Sequence, residues 1–288
     1  MEFEDKRIII TGDTGLVGSN LKTKFTNPAT HLFLMSRSNG IDLTNKNTIP
    51  IIDNVDIIIH LAAKIGVPFS FTNPQLIISS NFNMTLNCLE IARKTNAKFI
   101  FVSSYLYGSP INIPIDENQR ISPHNPYAQS KYLCEKLIEG YYRDFDVKAV
   151  IIRPFNLYGI DLQNGMLMKQ ITDQMYSGKI KLKNPLPKRD YLFIDDFSNL
   201  IIKILKYEKF QELEIVNAGF GTSYSVEEIV NQFQEIGKSN DEVIYENEVR
   251  KGEILNVVAD ISKAKKKYNW IPEIDLKSGI SKILKNIF

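Results

Sequence analysis

The stretch Arg7-Ile8-Ile9-Ile10-Thr11-Gly12-Asp13-Thr14-Gly15-Leu16-Val17-Gly18 decides the fold. Three β-branched apolar residues run into a glycine-spaced turn, and an apolar-periodic stretch (Leu16, Val17, Leu21, Phe25) comes next. Such an unbroken apolar run predicts a parallel strand buried on both faces. The glycines then have separate tasks. Gly12 lets the chain turn sharply, Gly15 lets backbone N–H groups approach a phosphate, and Gly18 lets the helix pack on the strand. A helix N-terminus offers unpaired N–H donors and partial positive charge, which suits a pyrophosphate. Any strand–turn–helix with small residues would look similar, so the turn gains meaning only from motifs farther along the chain.

Outward from this stretch, apolar runs and helical periods alternate. His31–Met35, Val55–Ala63, Lys98–Val102 and Lys148–Ile152 read as strands, and Arg153–Gly159 as the loop after the last of them. Helices are predicted over about 75–94, where Asn73-Pro74 gives a start signal, and over about 127–143. The alternation predicts an α/β fold, a Rossmann-type doubly wound parallel sheet, with ligands outside the strands' carboxyl ends. Residues 1–160 read as the dinucleotide-binding domain, with some later segments returning to it. Residues 161–288 read mainly as a smaller α/β substrate-binding lobe. In that lobe Gly165–Ser177 is expected as a helix and Arg189–Asp196 as a strand entering a helix to about Lys206. Ile215–Thr222 is expected as a strand entering a glycine loop, Ser225 and Glu228 as a capping box, and about 262–267 and 275–287 as helices.

After the second strand, Ser36-Arg37 stands where dinucleotide folds carry a carboxylate for the ribose hydroxyls or an arginine for the NADP 2′-phosphate. The arginine favours NADP(H), with NAD(H) as the alternative. The run through Leu61 ends in the small residues Ala62-Ala63, which let a flat cofactor lie across a strand end.

Composition excludes several classes. The net charge of +2 points to neither nucleic acid nor an anionic membrane, and Lys265-Lys266-Lys267 reads as a solvated helix face. No apolar run reaches the ~20 residues that span a bilayer, and no signal peptide is read. Cys88 and Cys134 read as buried thiols in a reducing cytoplasm. His60 reads as a satisfied core histidine, and no metal site is expected.

Tyr127 and Lys131 stand four apart in a predicted helix and so share a face. An unperturbed phenol has a pKa of about 10, and a neighbouring ammonium would lower it, letting the pair exchange a proton with a carbonyl or hydroxyl. Tyrosine and lysine at this spacing are common and usually structural. The glycine turn, Arg37 and Ser103 at a strand end give the pair its context.

With these motifs in order, the chain resembles the extended short-chain dehydrogenases/reductases of the nucleotide-sugar epimerase/dehydratase/reductase group. The likeness rests on Gly12-Gly15-Gly18, Asp42-Leu43, His60-Leu61-Ala62-Ala63, Ser103-Ser104-Tyr105-Leu106-Tyr107-Gly108, Tyr127-Ala128-Gln129-Ser130-Lys131, Arg153 to Gly159, Arg189-Asp190-Tyr191 and Arg250-Lys251-Gly252-Glu253. The resemblance implies Ser103 as the catalytic hydroxyl, Tyr127 as the acid/base and Lys131 as the residue that binds the nicotinamide ribose. It implies cofactor contacts from Gly12, Thr14, Gly15, Leu16, Val17, Gly18, Arg37, Asp42, Leu43, Leu61, Ala62, Ala63 and Pro154. It implies nucleotide-sugar contacts from Ser104, Tyr105, Asn156, Arg189, Asn217 and Arg250, the last on the diphosphate, and a homodimer. Ser104-Tyr105 replaces the Asp-Glu pair of the 4,6-dehydratases, which argues against dehydration. The short gap from Arg37 to Asp42 resembles the 4-keto-sugar reductases. The expectation is therefore an NADPH-dependent reductase of a nucleotide-activated 4-keto-6-deoxy sugar. The alternatives are an NAD-dependent nucleotide-sugar 4-epimerase and a non-catalytic dinucleotide-binding sensor.

Overall fold

The computed structural model describes residues 3–207, 210, 212–248 and 254–288. The chain forms two compact units. One comprises Met1–Gly108, Arg120–Arg153 and Ser198–Val216, and the other Ser109–Gln119, Pro154–Phe197 and Asn217–Phe288.

The first unit opens with β1 (Arg7–Thr11), α1 (Leu16–Lys22) and β2 (His31–Met35), then β3 (Ile57–His60), α2 (Val67–Thr72), α3 (Pro74–Thr95), β4 (Lys98–Val102), α4 (Pro126–Phe145) and β5 (Ala149–Pro154). The chain continues through β6 (Asn156–Tyr158), α5 (Leu167–Thr172), β7 (Lys179–Leu182), β8 (Lys188–Phe193), α6 (Ile194–Leu205) and β9 (Glu214–Ala218). It ends with β10 (Ser223–Ser225), α7 (Val226–Gly237), β11 (Glu242–Tyr245), α8 (Ser262–Tyr268) and α9 (Leu276–Ile287).

Six strands form one sheet in the order β2-β1-β3-β4-β5-β9. β1 pairs in parallel with β2 on one side and β3 on the other, and β3–β4 and β4–β5 are also parallel. The apolar runs explain this. Ile8, Ile9, Ile10, Ile58, Ile59, Phe99, Ile100 and Phe101 are all buried, so both faces of the sheet are covered. Strand order reverses between β1 and β3, and the carboxyl ends there form the crevice where such sheets take ligands.

The second unit holds a three-stranded sheet, β10-β8-β6, and a two-stranded one, β11-β7. Its core includes Tyr158, Phe193, Phe197, Phe233 and Trp270. The Asp196 carboxylate accepts Glu273 N (3.0 Å) and Ile274 N (2.8 Å), and Trp270 Nε1 donates to Asp196 O (2.9 Å).

Three expectations are corrected. The helix expected over Gly165–Ser177 is only Leu167–Thr172. Asp241 captures the backbone beyond it, accepting Tyr176 N (2.8 Å) and Gly178 N (2.6 Å) while both residues adopt positive φ. The segment 153–159, read as a loop, contains β6, which pairs in parallel with β8. The strand read over Val55–Ala63 is Ile57–His60, because Leu61 N and Ala62 N turn to the Thr11 hydroxyl, each at 3.1 Å. The capping box of α7 is formed, with Ser225 and Glu228 each bonding the other's backbone N–H.

Candidate active site

The glycine turn sits against the end of β3. Gly12 has φ +69°, and a Cβ there would lie 2.9 Å from Ala62 Cα and N. A Cβ on Gly18 would lie 2.3 Å from Gly12 O and 2.6 Å from Asp13 Cα. Only glycine allows both approaches. Gly15 caps α1 without any side-chain cap, Thr14 is exposed, Val17 is half-buried and Leu16 is in the core. Leu61, Ala62 and Ala63 are half-buried, and the two alanines bring only methyl groups to the end of β3 beside Gly12. That surface fits a dinucleotide. Arg37 is exposed in a tight turn after β2. The Asp42 carboxylate accepts the Thr44 backbone N–H (2.9 Å) and the Thr44 hydroxyl (2.8 Å), and these bonds hold the carboxyl below its usual range. Leu43 is buried, and its carbonyl accepts Asn87 Nδ2 at 2.8 Å.

A buried polar chain links the turn to the helix that carries Tyr127. Thr11 Oγ1 accepts from Leu61 N and Ala62 N, so its own proton goes to His60 Nδ1 at 2.8 Å. His60 Nε2 then donates to Thr85 Oγ1 at 3.1 Å. The imidazole is neutral, because burial and the Lys131 charge push its pKa down to about 3. Thr85 Oγ1 donates to Asn81 O (2.9 Å), Asn81 Nδ2 to Ser130 Oγ (2.8 Å), and Ser130 Oγ to Tyr127 O (2.7 Å). Cys88 and Cys134 are buried free thiols beside this chain.

Tyr127 is half-buried in the first turn of α4, and Lys131 lies one turn on. The Lys131 side chain is buried, and its Nζ stands 4.2 Å from the Phe101 ring centroid. The expected lowering of the Tyr127 pKa by Lys131 is corrected. Burial pushes the phenol up to about 12, helped by the Cys134 and Tyr105 groups beside it. Burial draws Lys131 down to about 8.

Ser103 comes directly after β4, and its hydroxyl donates to Glu135 Oε1 at 2.6 Å. Arg153 grips the same carboxylate from Nε (3.1 Å) and Nη2 (2.6 Å), and its Nη1 donates to Tyr107 OH at 3.0 Å. The sequence reading missed Glu135, although it continues the Tyr127, Lys131 spacing by four along one face of α4. Ser104 and Tyr105 are half-buried, and Pro154 is buried at the end of β5.

In the second unit, Asn156 Nδ2 donates to Asp190 O at 3.2 Å. Arg189 Nη1 donates to Lys188 O (2.9 Å) and Ile254 O (2.6 Å). Asn217 is buried, and its amide donates to Ile115 O at 2.9 Å. Tyr191 meets Tyr158 edge-on, with ring centroids 6.1 Å apart. Arg250 and its neighbours Lys251, Gly252 and Glu253 lie outside the described residues.

The NAD dependent epimerase/dehydratase family matches residues 8–219. A putative UDP-glucose 4-epimerase from Methanocaldococcus jannaschii is 31% identical, over 96% of this chain and 97% of that protein. A UDP-glucuronate 4-epimerase from Thermodesulfobacterium geofontis is 31% identical, over 84% of this chain and 76% of its own length. Among solved structures, RMD from Pseudomonas aeruginosa complexed with NADPH superposes with a TM-score of 0.89 at 23% identity, covering 98% of each chain. The chain belongs to the NAD dependent epimerase/dehydratase family. It is an enzyme of the extended short-chain dehydrogenase/reductase kind. Among the described residues, no helix is long and apolar enough to cross a membrane, and no cluster of His, Cys, Asp or Glu could hold a metal ion.

Proposed function

We propose that this chain is an NAD-dependent 4-epimerase of a UDP-activated sugar. The observation that carries the reading is the 31% identity, across nearly the whole of both chains, with a protein named as a putative UDP-glucose 4-epimerase. The residues alone favour a reductase, and this identity is what puts the epimerase ahead of it. Oxidised NAD supplies a reversible hydride acceptor and a positive charge that favours a phenolate. Gly12, Thr14, Gly15, Leu16, Val17 and Gly18 hold it at the turn, and Lys131 holds a ribose hydroxyl. Tyr127 takes the proton from the sugar's 4-hydroxyl oxygen and later returns it. The buried chain from Thr11 to Ser130 fixes the helix that carries Tyr127. Asn156, Arg189 and Arg250 contact the sugar nucleotide. A homodimer in the cytoplasm belongs to the same proposal, and light scattering tests its stoichiometry.

The reductase of a 4-keto-6-deoxy sugar stays as a second reading for one reason. Burial keeps Tyr127 protonated up to about 12, and a protonated phenol suits donation to a ketone oxygen. In that reading exposed Arg37 takes the 2′-phosphate of NADP. The two readings separate when purified protein is incubated with UDP-galactose, UDP-N-acetylglucosamine or UDP-glucuronate without added cofactor. Appearance of the 4-epimer on chromatography supports the epimerase. No epimer, together with NADPH consumption on a nucleotide-linked 4-keto-6-deoxy sugar, overturns it in favour of the reductase.

A further inference from the structure

Two buried oxygens at the ends of β1 and β2 have no partner. Asp13 is 3% exposed and Ser36 is 8% exposed. Asp13 Oδ1 and Ser36 Oγ are both out of solvent, with no hydrogen bond among the described residues. Strand register makes the two residues neighbours. Thr11 lies opposite Met35 in the parallel ladder, and Gly12 N donates to Met35 O at 2.9 Å. Ser36 therefore follows alongside Gly12, one residue from Asp13. The backbone of Asp13 is fixed, because a Cβ on Gly18 would lie 2.6 Å from Asp13 Cα and α1 packs directly on it. An unpaired buried carboxylate oxygen or hydroxyl is costly, and two at one place call for donors that the chain does not supply.

Their place in the fold says which donors. The carboxyl ends of the first two strands of a dinucleotide fold take the adenosine ribose, ordinarily against a carboxylate at the end of the second strand. In this chain Ser36-Arg37 occupies that position, and the carboxylate stands across from it, at Asp13 on the glycine turn. We propose that Asp13 accepts one adenosine ribose hydroxyl and Ser36 meets the other, and that this carboxylate selects NAD(H) against NADP(H). The 2′-phosphate of NADP brings further negative charge against a buried anion. Arg37, the group that favours NADP, is exposed, so water and salt screen its attraction far more than they screen the repulsion from Asp13. This assignment rests on the reading of the turn as the dinucleotide site and deepens the choice of NAD in the proposed function.

The test is fluorescence titration of the full chain with NADH and with NADPH, without sugar. Wild type binds NADH at least about tenfold more tightly than NADPH. Asp13→Ala weakens NADH by about 10- to 100-fold, the order for losing a hydrogen bond to a charged group. It binds NADPH as well as wild type or better, and its melting temperature does not fall, because a buried unpaired charge has gone. Asp13→Ala combined with Ser36→Asp puts a carboxylate at the end of β2 and recovers NADH binding to within about tenfold of wild type. Wild type that binds NADPH as tightly as NADH overturns the assignment. So does an equal Asp13→Ala loss for the two dinucleotides, or an NADH loss under about threefold. Asp13→Asn keeps the shape and takes the place of Asp13→Ala if that variant does not fold, with the same inequality expected between the two dinucleotides. Wild type that binds neither dinucleotide defeats the reading of the turn, and this assignment with it. A missing preference in a protein that still epimerises UDP-galactose defeats this assignment alone.

Discussion

The Lys131 ammonium stands 4.2 Å from the centroid of the Phe101 ring, at the end of β4, with its side chain out of solvent. The ring face attracts a cation, but this does not offset desolvation, and the pKa falls to about 8. The unfolded chain has the ordinary lysine value of about 10.4, so between about 8 and 10.4 it holds a proton that the folded chain releases. Stability therefore rises with pH across that window, and at pH 7 the buried charge costs about 3 kcal/mol. Lys131→Met removes that cost. The variant is expected to gain about 1–3 kcal/mol in urea unfolding at pH 7 while turnover collapses. A variant less stable than wild type would show that the charge is held by more than the ring. Wild-type turnover is also expected to fall as pH rises through about 8, where Lys131 loses its proton.

Thr11 is the common acceptor that closes the end of β3 onto β1. Thr11→Val keeps the shape and removes the acceptor, leaving Leu61 N and Ala62 N without the oxygen that each meets at 3.1 Å. A fully buried orphaned N–H costs about 1–3 kcal/mol, and these two, in half-buried residues, cost less each. The same loss frees the backbone of Leu61 and Ala62, which packs on Gly12. Expected are a destabilisation of about 2 kcal/mol and several-fold weaker NADH binding by fluorescence titration. Unchanged values for both would mean that the turn is held without this oxygen.

Two glycines give opposite outcomes for one change. Gly18→Ala places a methyl 2.3 Å from Gly12 O, against backbone that cannot yield without moving the turn. It is expected to destabilise the protein and abolish dinucleotide binding. Gly140→Ala meets nothing within 4 Å in the interior of α4 and is expected to stabilise by about 0.5–1 kcal/mol through helix propensity. Dinucleotide binding by Gly18→Ala at wild-type strength would deny the turn its role.

The first unit was largely legible because its signal is strong and local. The strands β1, β3 and β4 are apolar runs, and the helices α3 and α4 carry long periods with a proline at the start. The second unit was less so. Lys179-Ile180-Lys181-Leu182 alternates as a half-buried strand should, yet four residues after a glycine give little to read. The early end of α5 depends on Asp241, far along the chain, which no local pattern announces. For the site, spacing placed Tyr127 and Lys131 on one helix. It could not show that Lys131 turns to Phe101, or that Ser103 turns to Glu135, because both partners arrive through tertiary packing. Asn217 was named as a ligand contact only through the family resemblance, and its amide donates to Ile115 O, a partner a hundred residues away that no local pattern announces.

Asp190 offers a test of the second unit that needs no ligand. Its carboxylate is buried and accepts Phe220 N (2.6 Å), Gly221 N (2.9 Å) and Ala259 N (3.0 Å), so it pins the glycine loop after β9. Burial raises the pKa to about 6 against the pull of these three donors. The folded value exceeds the unfolded value of about 3.9, so between the two the folded chain binds a proton that the unfolded chain does not. Asp190 thus contributes stability at low pH that is lost as pH rises through about 6. Asp190→Asn cannot titrate, and its amide nitrogen must face at least one backbone donor, leaving that N–H unsatisfied. Wild type is expected to be more stable than Asp190→Asn at pH 4, with the gap shrinking by about 2 kcal/mol at pH 7. Urea unfolding at the two pH values measures the gap. A gap that stays constant would show that Asp190 titrates as an exposed carboxylate does, and a gap that widens with pH would reverse the sign of its burial cost.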